Sequence, residues 1–118
     1  MGQLRVERVQ EFIKQEASKI ILNDLKDPRI GFVTVTDVVI TSDLGKAKVY
    51  VSLFGSDEAK IETFKGLNSS LGFLRSEIGK RINLRFMPEL SLHIDESLDK
   101  SEHIQKILLK INQEEREK

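Results

Sequence analysis

The strongest pattern in this chain is an amphipathic segment, residues 56–94, that is broken once and then leads into a strand. Apolar residues recur in it at the 3–4 spacing of one helix face, at Ile61, Phe64, Leu67, Leu71, Leu74, Ile78 and Ile82. Ser69, Ser70 and Gly72 lower the helix propensity in its middle. The segment therefore predicts two helices that meet at a kink, followed by a strand after Pro88.

Shorter patterns divide the rest of the chain. They predict a helix over 5–25, strands over 30–41, 46–53 and 90–95, and a short last helix over 101–111. Asp27-Pro28 ends the first helix, because the residue before a proline avoids the helical region. The alternation changes phase near Asp37, which predicts a bulge at 36–38. The hairpin loop Ser42–Gly45 predicts a positive φ at its glycine.

Length and composition limit the class of protein. The 118 residues suffice for one domain, which we expect over 1–112, with a charged tail over 113–118 that frays. The pattern predicts an α+β fold with a three-stranded sheet packed on helices. The chain has no cysteine, which excludes disulfides and thiolate metal sites. It shows no secretion signal and no apolar run of membrane length, so we expect a cytoplasmic protein.

Positive charge is concentrated in one part of a chain whose net charge is zero. Residues 65–85 contain five basic side chains and one acidic side chain, a local charge of +4. A kink beside these cations exposes the N–H groups of a helix amino end, and Ser70 and Gly72 are small enough for a phosphate to approach the backbone. This combination favours nucleic acid. The alternative is that these cations form the solvated face of a helix.

Residues suited to catalysis are scarce. The two histidines, His93 and His103, match no metal-binding spacing, and no phosphate-binding glycine loop is present. Four acids stand close together near the carboxyl end, at Asp95, Glu96, Asp99 and Glu102. They complement the start of the last helix or, in a rival hypothesis, hold the divalent ion of a hydrolase. The sequence predicts a protein that is not an enzyme and has no cofactor.

Several short motifs, in this order, resemble the bacterial ribosome-binding factor A family over nearly the whole chain. They stand at 26–31, 35–38, 47–51, 72–78, 88–90 and 95–98. The resemblance implies a KH-like RNA-binding domain with the type II order α-β-β-α-kink-α-β and a short C-terminal helix. It also implies that an Ala-x-Gly kink replaces the usual GxxG loop. That kink falls on Ser70-Leu71-Gly72, where serine stands in place of the family's alanine.

The same resemblance implies a function. Members of the family bind the immature small (30S) ribosomal subunit and assist late folding and 5′-end processing of 16S rRNA, notably during cold adaptation. They catalyse no reaction, and an assembly GTPase is implicated in their release. The expected partners are therefore the 30S subunit, the 16S rRNA precursor and that GTPase. We expect a monomer that contacts no membrane.

The candidate RNA-binding residues come from four parts of the chain. They are Arg5, Arg8, Lys46, Lys48, Ser70, Leu71, Gly72, Arg75, Lys80, Arg81 and Arg85. Phe73 and Phe86 are expected in the core, so stacking on bases is expected to contribute little. The rival hypothesis is a protein-interaction module that binds no RNA, whose binding would be insensitive to salt.

Overall fold

A computed structural model of the chain describes residues 3–82, 84, 86–95 and 109. Its elements are α1 (Gln3–Asn23), β1 (Val33–Ile40), β2 (Lys46–Leu53), α2 (Asp57–Ser69), α3 (Leu71–Arg81) and β3 (Glu89–Ile94). This order confirms the predicted α+β succession with a break between the second and third helices. Arg85, the tail over 113–118 and, apart from Leu109, the predicted helix over 101–111 lie outside the described residues.

The three strands form one mixed sheet in the order β1-β2-β3. β1 and β2 are antiparallel, whereas β2 and β3 are parallel, so β2 and β3 both begin at the hairpin end of the sheet. The register between β1 and β2 shifts between Val35 and Asp37, which confirms the predicted bulge. The extra residue brings Val35 and Val38 to the same buried face, because it corrects the change of phase in the alternation.

The hairpin loop differs from the prediction at one residue. The positive φ belongs to Leu44, at 61°, and Gly45 does not have one. Asp43 explains the loop's shape, because its Oδ1 accepts hydrogen bonds from Thr41 Oγ1 at 2.7 Å and from the Gly45 N–H at 2.9 Å. The first of these bonds is the main reason why the pKa of Asp43 is lowered. Leu44 packs against the core, which offsets its unfavourable backbone conformation.

The core lies between one face of the sheet and the helices. Its largest side chains with almost no exposure are Ile13, Ile20, Val38, Val49, Val51, Leu67, Leu74 and Ile78. They occupy the predicted helical stripes and the inward positions of the strands. Gln10 attaches the first half of α1 to the hairpin end of β1, since its Oε1 accepts the Ile40 N–H at 3.0 Å. The other face of the sheet is not part of this core.

A tight turn at residues 27–31 joins α1 to the sheet and rests on α2. The Asp27 carboxylate accepts the Arg29 N–H at 2.9 Å and its guanidinium at 2.6 Å. These contacts, led by the side-chain hydrogen bond, lower the pKa of Asp27. The Gly31 N–H donates to Thr63 Oγ1 at 3.0 Å. Because this turn uses residues 27–31, β1 begins at Val33 and not at residue 30 as predicted.

Replacing Thr63 by valine should cost about 1–3 kcal/mol of unfolding free energy. Thr63 is fully buried, and its hydroxyl is the acceptor for the Gly31 N–H. Valine preserves the shape but removes that acceptor. Urea unfolding measures the change. The control is Thr34→Val, on the exposed side of β1, whose unfolding free energy should lie within about 0.5 kcal/mol of wild type. Equal stability of the two variants would show that the bond between α2 and the turn contributes nothing.

Candidate nucleic-acid interface

Three arginines meet around one depression, between the first half of α1 and the chain that leaves α3. Arg5 and Arg8 belong to α1, and Arg81 is the last residue of α3. Apolar side chains complete the lining, namely Val9, Phe12, Ile82 and Leu84. We call this site the α1–α3 depression, and its volume is about 300 Å³. Guanidinium groups around a concave surface favour the binding of phosphate oxygens.

Arg81 is held at the rim of the depression by two carboxylates of α1. Its Nη1 lies 3.2 Å from Glu16 Oε1, and its Nη2 lies 3.8 Å from Asp24 Oδ2. Glu16 also pairs with Lys19 at 3.1 Å. The Lys19 hydrogen bond is the largest cause of the lowered pKa of Glu16, and Arg81 adds to it. Arg81 and Asp24 are both partly exposed, so their pair is weak, whereas the Glu16 side chain is mostly covered and also has Lys19 as a partner.

The other two arginines lie on one side of α1. Arg5 and Arg8 are three residues apart in a helix, and both are exposed. Within the part of the chain that the structure describes, Arg8 makes no hydrogen bond or ion pair. The fold therefore brings together three of the predicted residues, two from the first helix and one from residue 81.

The kink between α2 and α3 is centred on Ser70, as predicted. The Ser70 hydroxyl donates to the Gly66 carbonyl at 2.9 Å, so it closes the end of α2 and does not cap α3. A Cβ added at Gly72 would meet no atom within 4 Å. The backbone at Gly72 is therefore open to solvent at the start of α3, which is the arrangement that a close approach by a phosphate requires.

The remaining basic residues of α3 have partners inside the protein. Arg75 donates from Nε to the Pro88 carbonyl at 3.0 Å and from Nη2 to the Met87 carbonyl at 2.8 Å. Lys80 pairs with Glu77 at 2.8 Å, and this hydrogen bond is the main cause of the lowered pKa of Glu77. Arg75 thus fixes the chain that enters β3. Its predicted role in RNA binding stays a prediction.

Lys46 and Lys48 lie on the face of the sheet that is opposite to the core, away from α1. Lys48 lies opposite Ser91 in the register between β2 and β3. Beside it, the rings of Tyr50 and His93 lie 5.3 Å apart. Burial, and to a lesser degree Lys48, lowers the pKa of His93. The two lysines thus belong to a different surface from the α1–α3 depression.

Two phenylalanines are placed differently from the expectation. Phe73 and Phe86 are 46% and 76% exposed, so the expectation that they lie in the core is wrong. The buried stripe of α3 runs through Leu74 and Ile78, which turns Phe73 outward. Phe12 matches the core spacing of α1 and packs, partly buried, against the core, and it also lines the α1–α3 depression. No signal in the sequence distinguishes it from the core residues beside it.

Two other expectations concern membranes and metals. None of the helices in the described part of the chain is long and apolar enough to cross a membrane. Residues 3–82, 84 and 86–95 contain no group of three or more His, Cys, Asp or Glu side chains that could hold a metal ion. The acids Glu96, Asp99 and Glu102 of the hydrolase hypothesis lie outside the described residues.

Known proteins are similar to this chain both in sequence and in fold. The family model for ribosome-binding factor A matches residues 5–108. The ribosome-binding factor A of Brevibacillus brevis is 49% identical over 114 residues, which cover 97% of this chain and 94% of that protein.

Two known structures have a similar fold. A Thermotoga maritima protein assigned as a ribosome binding factor A, solved by NMR, matches with a TM-score of 0.70 and 32% identity. The match covers 86% of this chain and 96% of that one. A homology model of the Thermus thermophilus ribosome binding factor A, as fitted into the cryo-EM map of a 30S complex, matches with a TM-score of 0.59 and 24% identity. It covers 73% of this chain and 90% of that one. Because the family model matches most of this chain, the chain belongs to the ribosome-binding factor A family.

Proposed function

We propose that this protein binds the immature 30S ribosomal subunit and assists late folding and 5′-end processing of 16S rRNA, with a particular role in the cold. Family membership supports the proposal, as does the Thermus thermophilus relative that was fitted into a map of its 30S complex. The observation in this molecule that carries the proposal is the convergence of Arg5, Arg8 and Arg81 on one depression.

In this proposal the protein works by binding and catalyses no reaction. The arginines of the α1–α3 depression hold phosphates of one rRNA conformation, and that conformation becomes more populated because it binds the protein better than the others do. The open backbone at the kink, Ser70 to Gly72, is a second contact with the phosphate backbone. Lys46 and Lys48 are a third contact, on the other face of the sheet, and require RNA that reaches around the domain. No cofactor is needed.

Three further features belong to the proposal. The protein acts as a monomer. It works in the cytoplasm, where ribosomal subunits assemble. An assembly GTPase releases it from the subunit when maturation is complete.

Co-sedimentation with precursor and mature 30S subunits tests the proposal over about 50–400 mM KCl. The variant carries Arg8→Ala and Arg81→Ala. Each phosphate contact releases counterions when the protein binds RNA, so the variant releases fewer of them. We expect its affinity for the subunit to be about 10- to 100-fold lower at low salt. The slope of log affinity against log salt should decrease by about two units.

The matched control removes the same charge elsewhere, with Lys26→Ala and Lys60→Ala. Lys26 follows α1 at its far end and Lys60 lies on α2, so neither lines the α1–α3 depression. The control should bind within about two-fold of wild type. Wild-type protein that binds neither subunit preparation would overturn the proposal. An equal loss of affinity in the two double variants would show that the α1–α3 depression takes no part in subunit binding.

The rival function is a protein-interaction module that binds no RNA. Exposed apolar side chains near the far end of α1 favour it, since Leu22 and Phe32 are 83% and 78% exposed and Phe32 meets Phe54 edge-on at 6.1 Å. Apolar contacts do not release counterions. Subunit binding that is unchanged across the salt series would therefore favour this rival.

A further inference from the structure

The α1–α3 depression contains more than a phosphate site needs. Phosphates on the surface of an RNA helix are bound by cations on exposed positions, and an apolar floor adds nothing to such contacts. Yet Phe12, Ile82 and Leu84, which line this depression, are only partly buried. The occupant that suits the site therefore carries a negative charge and a flat apolar surface in the same small unit.

An unpaired nucleotide has both properties. RNA-binding proteins take bases out of the stack and place them on aromatic rings or guanidinium planes, while cations hold the adjoining phosphates. The volume of about 300 Å³ is at the small end of ligand sites, which suits one nucleotide. We propose that the α1–α3 depression receives one unpaired nucleotide of an RNA strand, with its base against Phe12 and its phosphates on the three arginines.

The ion pairs of Arg81 fit this role. Glu16 and Asp24 hold the guanidinium at the edge of the depression, 3.2 and 3.8 Å from their carboxylates. Glu16 has a 13% exposed side chain and remains paired with Lys19 when Arg81 turns to a phosphate.

This inference rests on the proposed function and adds to it a preference for single strands with bases. Isothermal titration compares a strand of about 12 adenosine nucleotides with a base-free backbone of equal length and with a duplex. Wild-type protein should bind the strand with bases about ten-fold more tightly than the other two. Equal affinities, or no detectable binding to the strand with bases, would overturn the inference.

Phe12 is the residue to change. Phe12→Leu keeps an apolar side chain at the site but removes the ring, so we expect a loss of about ten-fold on the strand with bases and none on the base-free backbone. Phe12→Trp should retain tight binding. Phe73→Leu, which changes an exposed phenylalanine of α3 outside the depression, is the matched control and should bind as wild type.

Two parallel measurements separate the possible failures. The midpoint of thermal unfolding falls by about 4–5 °C for each kcal/mol lost. A midpoint of Phe12→Leu within a few degrees of wild type therefore excludes loss of the fold as the cause. Co-sedimentation with 30S subunits is repeated for wild type in the same buffer. If subunits bind but the base makes no difference, the nucleotide site fails and the proposed function stands. If subunits do not bind, the proposed function itself fails.

Discussion

Leu74→Ala should lower the free energy of unfolding by about 3–4 kcal/mol, the largest loss that we expect from a single truncation. Leu74 has no exposed surface and lies on the inner face of α3, among the side chains that fill the space between the helices and the sheet. Alanine leaves a cavity that these neighbours fill only in part. In a domain of this size the loss corresponds to a midpoint of thermal unfolding that is lower by about 12–20 °C.

Phe73→Ala is the control for this truncation. It removes a larger side chain from the preceding residue of the same helix, but Phe73 is 46% exposed and its loss should cost less than about 1 kcal/mol. Urea unfolding of both variants measures the difference. Similar losses in the two variants would contradict the burial of the α3 stripe, on which the position of Arg81 depends.

Gly66→Val should destabilise the protein by about 3 kcal/mol. Gly66 is a buried residue of α2, and a Cβ there would lie 2.7 Å from Cγ1 of Ile30 and 3.4 Å from the carboxylate of Asp27. The turn at residues 27–31 cannot retreat without losing the Gly31 to Thr63 hydrogen bond. Valine places further atoms in the same space and, as a β-branched residue, brings little gain in helix propensity.

Gly72→Ala shows the opposite behaviour in the next helix. A Cβ at Gly72 meets nothing within 4 Å, so alanine should stabilise α3 by about 0.5–1 kcal/mol through its higher helix propensity. If the kink contacts the phosphate backbone as proposed, the same variant should bind 30S subunits more weakly although it is more stable. A Gly72→Ala variant that is less stable than wild type, or a Gly66→Val variant that is as stable as wild type, would contradict the packing described for the two glycines.

Periodic patterns predicted most of the fold, since they record which side chains must leave water. The 3–4 spacing in 56–82 located α2 and α3, and the two serines located the kink. The change of phase near Asp37 located the bulge. The sequence predicts the positive φ at Gly45, because glycine adopts a positive φ at the lowest energetic cost. The carboxylate of Asp43 and the packing of Leu44 placed it one residue earlier, and the packing of Leu44 has no local signature.

Local sequence therefore determined the helices, the strands and the number of cations available, because each of these depends on residues within a few positions of one another. The tertiary structure alone decided which cations meet. Arg8 and Arg81 stand 73 positions apart and line one depression, whereas Arg75, six residues before Arg81, is bound to the carbonyls of Met87 and Pro88. The partner of a guanidinium depends on distances in the folded chain, which the spacing of residues along the sequence does not specify.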